Sequence, residues 1–216
     1  MDIFQLIADF LHLLAMVQLL LVIRTTRVTT GLSAKTQLLF LSVFVIRYFG
    51  FLFDSPFTGI HIYFSIMKIL FLGMTGMTFY LIRFKRPYCS SYSPQADSFP
   101  FWVLYGVAFF LTLLSNSSLL GWARSYSIWL ESFAIIPQLT ILRKTKEVDS
   151  LTGQYILMLG LYRALYVVHW FYAFFAYDML IWVNILGGSL QTALYLDFCY
   201  YYLVAKQEQG KFKLPI

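Results

Sequence analysis

Long apolar runs alternate along the chain with short polar segments. The runs occupy residues 4–23, 38–53, 60–82, 99–114, 125–142, 155–176 and 179–204. A helix that crosses a bilayer core needs roughly 20 residues, and tilted or shortened helices tolerate fewer. The pattern predicts an all-α membrane protein with seven transmembrane helices. We assign residues 1–204 to one seven-helix membrane domain and residues 205–216 to a cytosolic tail.

The composition supports this interpretation. Of 216 residues, 60% are hydrophobic, 20% are aromatic and only 12% are charged. A soluble domain is closer to half apolar and a quarter charged. No basic segment precedes the first apolar run, and that run is long enough to span a bilayer, so we expect a retained helix rather than a cleaved signal peptide.

The basic residues predict the orientation. In a seven-span arrangement, 12 of the 16 Lys and Arg residues fall on one side of the membrane. They are Arg24, Arg27, Lys35, Arg83, Lys85, Arg86, Arg143, Lys144, Lys146, Lys206, Lys211 and Lys213. Cytosolic loops carry this excess, so the N-terminus is expected in the lumen or outside and the C-terminus in the cytosol. A glycosylation acceptor motif at Asn116 falls on the lumenal side, next to the membrane.

A few ionisable residues lie inside the apolar runs. The basic ones are Arg47, Lys68 and Arg163, and the acidic ones are Glu131 and Asp197. An ionised group at the bilayer centre costs about 2.5–3.5 kcal/mol even on the lenient insertion scale, so such groups should face the bundle interior and find partners. Three cations against two carboxylates predict a lumen-facing cavity with room for an anion. Two alternatives stay open: Asp54, the backbone or water could satisfy Arg47, and Lys68 could snorkel or pair structurally.

Other polar and aromatic residues accompany these charges. Tyr48 neighbours Arg47, and one run holds Tyr162, Arg163, Tyr166 and Trp170 at helical spacing, so these aromatics could line a pocket. His12 is a titratable group within the first run, although a buried histidine is commonly a hydrogen-bonded core residue.

The remaining motifs favour no catalytic chemistry. Pro137-Gln138 predicts a kink in the fifth helix. We find no Ser–His–Asp set, no metal-ligand cluster and no Gly-rich phosphate loop in the sequence, so we expect no enzyme, cofactor, metal or nucleic-acid partner.

Several stretches together resemble one family. They are GLSAKTQLLF (31–40), RY (47–48), SIWLESFAIIPQL (127–139), GLYRALYVVHW (160–170) and QTALYLDFCYYY from Gln191. They resemble the ER lumen protein-retaining receptors, or KDEL receptors, over essentially the whole chain. The resemblance implies a SWEET/PQ-loop-like pair of three-helix bundles with a linking helix. It also implies a receptor of ER and Golgi membranes that binds the C-terminal tetrapeptide of escaped ER proteins at acidic pH. Retrograde vesicles would then return this cargo to the ER, where neutral pH releases it.

The resemblance also implies residue roles. Arg47 would take the terminal carboxylate of the cargo beside Tyr48, and His12 would sense protons. The sixth helix would contribute a binding wall, and Glu131 would be the internal partner of Arg163. The wall residues are Tyr162, Arg163, Tyr166 and Trp170, and Asp197 would complete the signal-binding group. Lys211 and Lys213 would engage the retrograde coat, although they could equally be ordinary cytosolic anchors beside the membrane lipids.

The chain departs from the family at the positions that read signal side chains. Gln5 and Ala173 stand where the family has arginine, and Gly50 stands where it has aspartate. Gly121 and Arg124 replace a glutamate and a tryptophan. We therefore expect signal binding with altered side-chain selectivity. The alternatives are a solute or amino-acid transporter of the SWEET type and a family relative that binds no signal.

Overall fold

The computed structural model describes residues 2–49, 60–114, 118–145, 150–178 and 182–207. Within these ranges the regular structure is helical, with no β-strand. The helices are α1 (Ile3–Thr26), α2 (Ala34–Tyr48), α3 (Ile60–Arg83), α4 (Trp102–Leu113), α5 (Leu119–Phe133), α6 (Ile136–Thr145), α7 (Ser150–Tyr177) and α8 (Trp182–Gln207). The all-α class is confirmed. The tail beyond 207 lies outside the described residues, so the division at 204/205 stays a prediction.

Three helices are long and apolar enough to cross a membrane among the residues described, and they coincide with the first, third and sixth apolar runs. They are Ile3–Thr26, His61–Arg83 and Gly153–Tyr177. α4 is shorter but apolar. A membrane protein is therefore consistent with the structure, while the seven-span count and the pairing into two bundles stay predictions.

Two helices begin earlier than their apolar runs because polar residues cap them. Ser33 accepts a hydrogen bond from the Thr36 N–H at the start of α2, and Ser118 accepts one from the Gly121 N–H at the start of α5. Such caps satisfy backbone donors that the first turn of a helix leaves free. Hydropathy cannot detect these turns, because their first residues are not uniformly apolar.

The fifth apolar run is broken into α5 and α6 just before Pro137. Proline has no N–H to donate, and its ring crowds the preceding turn. The next residue joins the break to the start of α2: the Gln138 N–H donates to Thr36 Oγ1 (3.0 Å), and Gln138 Oε1 accepts from the Ser33 N–H (2.7 Å). The predicted kink is confirmed. It is a break between two helices, and the polar groups of Gln138 beside it are hydrogen-bonded to the start of α2.

The outer surface of the bundle is apolar. Ile3, Phe110 and Phe175 are 65%, 69% and 81% exposed, and many other large apolar side chains also face outward. A water-soluble monomer rarely exposes apolar patches of this extent. The exterior is therefore suited to lipid.

The interior divides into two ends. At the packed end, an apolar cluster fills the space between the helices; it includes Leu19, Ile23, Leu32, Leu81, Ile82, Leu142, Ile156 and Leu159. At the cavity end, α1, α3, α5 and α8 begin and α2 and α7 finish. Charged and aromatic side chains replace the aliphatic core there.

Candidate ligand-binding cavity

A partly open cavity of about 530 Å³ occupies the cavity end. Six helices line it: the first half of α1, the end of α2, the first half of α3, α5, the second half of α7 and the start of α8. Its polar and titratable lining residues are Gln5, Asp9, His12, Arg47, Tyr48, Lys68, Arg124, Glu131, Tyr162, Arg163, Tyr166, His169 and Asn184. This volume is within the range of small-ligand sites.

One carboxylate at the floor of the cavity joins two guanidinium groups. Glu131 Oε2 lies 2.5 Å from Arg47 Nη2 and 2.9 Å from Arg163 Nη2. The Tyr162 hydroxyl donates to Glu131 Oε1 at 3.4 Å, and Arg47 Nε donates to Ser127 Oγ at 3.1 Å. Glu131 and Arg163 are almost completely buried, whereas the Arg47 side chain is 25% exposed. A single negative charge shared by two cations leaves the group with a net charge of +1.

His12 lies beside this group, in a wall of aromatic rings. Its imidazole stacks parallel to the Tyr162 ring at 4.0 Å between centroids and lies 4.8 Å from the Phe71 ring. The charged side chains that act on it electrostatically are Glu131, Arg163 and Arg47. A proton on His12 would therefore add a positive charge next to two guanidinium groups and one carboxylate.

Asp9 is the second carboxylate of the cavity, one turn of α1 before His12. Its Oδ2 accepts a hydrogen bond from the Tyr63 hydroxyl at 3.0 Å, and its Oδ1 accepts one from the Tyr166 hydroxyl. These bonds connect α1 to α3 and α7. Asp9 is therefore already partnered, by Tyr166, which lines the cavity, and by Tyr63, which is not among the lining residues.

The α7 wall is held by contacts with α8. Arg163 Nε donates to Gln191 Oε1, and the Arg163 guanidinium lies 5.5 Å from the centre of the Trp170 ring. Trp170 packs so closely on Gly188 that a Cβ there would overlap the indole. Gly188 thus lets the indole approach the α8 backbone closely, where it lines the cavity.

At the mouth of the cavity, His169 Nδ1 of α7 contacts Asp2 Oδ2, just before α1 begins. Asp2 also caps α1 by accepting the Gln5 N–H at 2.9 Å. Burial alone would raise the pKa of the Asp2 carboxyl group, but the hydrogen bonds from Gln5 and His169 outweigh burial and hold it below its ordinary value. This contact connects the two helices that carry His12 and Arg163.

The described lining residues carry more positive than negative charge. Four are cationic and two are carboxylates, which leaves a surplus of two positive charges with the histidines neutral: Arg47, Lys68, Arg124 and Arg163 against Asp9 and Glu131. Arg124 is exposed to the cavity and takes part in none of the ion pairs between described residues. Asn184 is 4% exposed, and its Oδ1 has no hydrogen-bond partner among the described residues. The lining therefore has charge and hydrogen-bonding capacity left for a ligand.

Eight of the residues singled out from the sequence come together here: His12, Arg47, Tyr48, Glu131, Tyr162, Arg163, Tyr166 and Trp170. The expected contact between Arg163 and Glu131 is confirmed. Lys68 also lines the cavity, whereas Asp54 lies outside the described residues.

Asp197 does not join this group. Its Oδ2 accepts a hydrogen bond from Arg143 at 3.0 Å, and both side chains are more than half exposed. Asp197 comes six residues after Gln191, the α8 residue that does reach Arg163. Six residues correspond to about 9 Å along a helix and to a different face of it. Asp197 is thus not among the cavity-lining residues, and a part for it in signal binding stays a prediction.

Some of the positions at which the chain departs from the family pattern line the cavity, and others do not. Gln5 and Arg124 line the cavity, whereas Gly121 and Ala173 are not among its lining residues. Gly50, Asn116, Lys211 and Lys213 lie outside the described residues.

Sequence reasoning gave no role in the site to several participants: Asp9, Tyr63, Ser127, His169, Asn184 and Gln191. One signal could have found Asp9. Gln5, Asp9 and His12 are spaced by four and three residues, which places them on one face of α1. No three His, Cys, Asp or Glu side chains of the described ranges cluster as a metal site would require.

Comparison with known proteins gives a consistent result. The sequence model of the family described as "ER lumen protein retaining receptor" matches residues 28–173. The chain is 39% identical over 221 residues to an ER lumen protein-retaining receptor of Plasmodium falciparum, covering 100% of this chain and 98% of the relative. It is 40% identical over 221 residues to ER lumen protein-retaining receptor erd-2.2 of Caenorhabditis elegans, and 38% identical over 217 residues to ER lumen protein-retaining receptor 2 of Homo sapiens. Both of these alignments cover 100% of each chain.

Proposed function

Because the chain belongs to the ER lumen protein-retaining receptor family, we propose that its cavity binds the C-terminal retrieval signal of escaped ER-resident proteins. Binding occurs in the acidic Golgi, retrograde vesicles return the complex, and neutral pH in the ER releases the cargo. Side-chain selectivity differs from that for the standard KDEL signal. The receptor role rests on the family, and the chemistry follows from the cavity.

The observation that carries the proposal is the shared carboxylate. Glu131 lies between two guanidinium groups, and the more exposed of them, Arg47, faces the cavity. Arginine offers a planar pair of donors that matches a carboxylate. A peptide C-terminus that enters the cavity can therefore take Arg47 as a partner while Glu131 keeps Arg163. Tyr48, Tyr166 and Trp170 form the walls around the incoming chain.

Proton dependence follows from the position of His12. An imidazole changes charge between the acidity of the late secretory pathway and neutral pH. In the proposed mechanism, a protonated His12 adds a third positive charge beside Arg47 and Arg163, and this favours a carboxylate ligand. Because the charged imidazole and the bound carboxylate stabilise each other, affinity rises as pH falls.

The proposed arrangement in the membrane has seven spans, with α5 and α6 forming one broken span. The cavity end then faces the lumen, because Arg24, Arg83 and Arg143 lie toward the opposite ends of their helices. The packed end faces the cytosol, as does the tail with Lys211 and Lys213 that is proposed to meet the vesicle coat. A transporter of the SWEET type would have to open the packed end, and uptake of solute into proteoliposomes would identify one.

The test compares short peptides that share the last three residues Asp-Glu-Leu and differ only in a free or an amidated C-terminus. Binding to the purified receptor in nanodiscs is measured at pH about 5.5 and about 7.4. The free-acid peptide should bind at acidic pH and weaken at neutral pH, and the amide should bind at least about tenfold more weakly. Arg47→Gln should abolish the preference for the free acid, while Lys85→Gln, an exposed site outside the cavity, should preserve it. Equal, pH-independent binding of acid and amide would refute the proposal.

A further inference from the structure

We propose that Arg124 determines specificity for the signal: it selects an acidic residue at the fourth position from the peptide C-terminus and rejects a basic one there. This inference rests on the proposed function, because it needs a peptide in the cavity with its terminal carboxylate at Arg47. It assigns a partner to Arg124, a cavity cation that makes no ion pair with a described residue.

The first support is the distribution of charge. Both carboxylates of the described lining are occupied, Glu131 by two arginines and Asp9 by two tyrosine hydroxyls. Arg124 is exposed to the cavity and belongs to no ion pair between described residues. A cation in a partly enclosed site attracts anionic groups and repels cations. The ligand is therefore expected to supply a second negative charge.

The second support is the position of Arg124 along the axis of the cavity, relative to the Arg47–Glu131 pair. The Arg124 carbonyl accepts a hydrogen bond from Ser127 Oγ at 2.7 Å, and the same hydroxyl accepts the Arg47 Nε–H. Arg124 thus lies on the cavity wall directly above the carboxylate site. Seven residues of α5 separate it from Glu131, which is about 10 Å along the helix. An extended peptide advances about 3.3 Å per residue, so the fourth residue from its end reaches this level.

The third support is an unsatisfied polar group at the same level. Gly187 of α8 packs against Ile128 of α5, and both helices begin at the cavity end. Asn184, about one turn nearer the mouth than Gly187, therefore lies near the depth of Arg124. Its buried Oδ1 has no partner among the described residues. An extended peptide offers backbone N–H groups at this level, and Asn184 can accept one of them.

The experiment uses three peptides that share the last three residues Asp-Glu-Leu and a free C-terminus. The residue before these three is Glu, Gln or Lys. Their affinities for the receptor in nanodiscs are compared with those for Arg124→Gln, Arg124→Glu and the control Lys85→Gln. For the unaltered receptor, we expect the Glu peptide to bind about tenfold more tightly than the Gln peptide, and the Lys peptide to bind most weakly.

The Arg124 variants test whether this side chain, and not another cation, sets the order of peptide affinities. Arg124→Gln should make the three affinities nearly equal, Arg124→Glu should reverse their order, and Lys85→Gln should leave the order unchanged. An unchanged order in Arg124→Glu, or tightest binding of the Lys peptide by the unaltered receptor, would overturn the inference. If all three peptides bind only as free acids but with equal affinity, the inference fails and the proposed function stands. If none binds, the proposed function itself fails.

Discussion

The two ends of the helix bundle differ in whether their buried polar groups have hydrogen-bond partners. At the packed end, Asp97 is 1% exposed, and its carboxylate accepts hydrogen bonds from Ser33 Oγ (3.0 Å), the Lys35 N–H (3.1 Å) and the Tyr92 hydroxyl (2.8 Å). At the cavity end, Asn184 is 4% exposed, and its Oδ1 has no hydrogen-bond partner among the described residues. A buried polar group without partners is costly, so the Asp97 site is complete by itself, whereas the cavity end is suited to a ligand that completes it.

The same helices build both ends, so the difference comes from which residues occupy successive turns. α1 carries Asp9 and His12 in its first half and Leu19 and Ile23 in its second. This polarity suits a receptor that opens to one compartment only. A binding site needs polar groups that have no partner within the protein, whereas a closed, packed end does not.

The largest expected effect follows from removing the shared carboxylate. Glu131→Gln would leave Arg47 and Arg163 adjacent without the charge that holds them. Breaking a buried ion pair in this way costs about 3–5 kcal/mol, because a charge is left uncompensated. We expect a clearly lower free energy of unfolding, measured by thermal unfolding of the purified receptor in nanodiscs.

The double variant Glu131→Gln/Arg47→Gln serves as the control for this prediction. It removes one of the two cations and should recover part of the lost stability. If the single variant is as stable as the unaltered receptor, Glu131 is not what joins the two arginines.

A smaller loss of stability is expected at the packed end. Asp97→Asn keeps the shape of the side chain but replaces an accepting oxygen by a donor that faces other donors. We expect a loss of about 2 kcal/mol in the free energy of unfolding, because hydrogen bonds to a charged group are lost. Peptide affinity should not change, since Asp97 does not line the cavity.

Asp178→Asn is the matched control for Asp97→Asn, because it deletes an exposed carboxylate in the left-handed backbone conformation that asparagine tolerates. It should affect neither stability nor binding. A large change in peptide affinity in Asp97→Asn would contradict the separation of the two ends.

The third prediction concerns pH. His12→Phe keeps an aromatic ring against Tyr162 but removes the titratable nitrogen. We expect the unaltered receptor to bind the free-acid peptide about tenfold more tightly at acidic than at neutral pH, and the variant to lose this difference. The exposed His61 does not line the cavity, so His61→Phe should keep the pH dependence. Full pH dependence in His12→Phe would assign proton sensing to another group.

Much of the cavity could be predicted from the sequence because charges in apolar runs are costly and therefore conspicuous. Arg47, Glu131 and Arg163 stand out in this way, and Trp170 follows from its spacing on α7. The helices could be predicted from the apolar runs, except for the first turns of α2, α5 and α7, which begin before their runs. The first turns of α2 and α5 depend on the capping residues Ser33 and Ser118, which a hydropathy pattern does not detect.

What could not be predicted is which partner each charge finds. Glu131 lies 84 residues from Arg47 and contacts it only because α2 packs on α5. Gln191 rather than Asp197 reaches Arg163 because the two side chains lie on different turns and faces of α8. Such choices depend on the rotation and depth of packed helices, and apolar patterns define these only to within a turn.

The smallest effect is expected at the mouth of the cavity. Asp2→Asn retains the oxygen that caps α1 and removes only the charge that faces His169. The pKa of Asp2 lies below its ordinary value of 3.8, so its contribution to stability is complete above that pH and is lost as pH falls through the lowered pKa. Thermal unfolding should therefore show a small stability deficit in the variant at mildly acidic pH, and this deficit should disappear at strongly acidic pH. A deficit of equal size at every pH would contradict this assignment, because Asp2→Asn keeps the capping oxygen and its deficit should follow the charge of Asp2 alone.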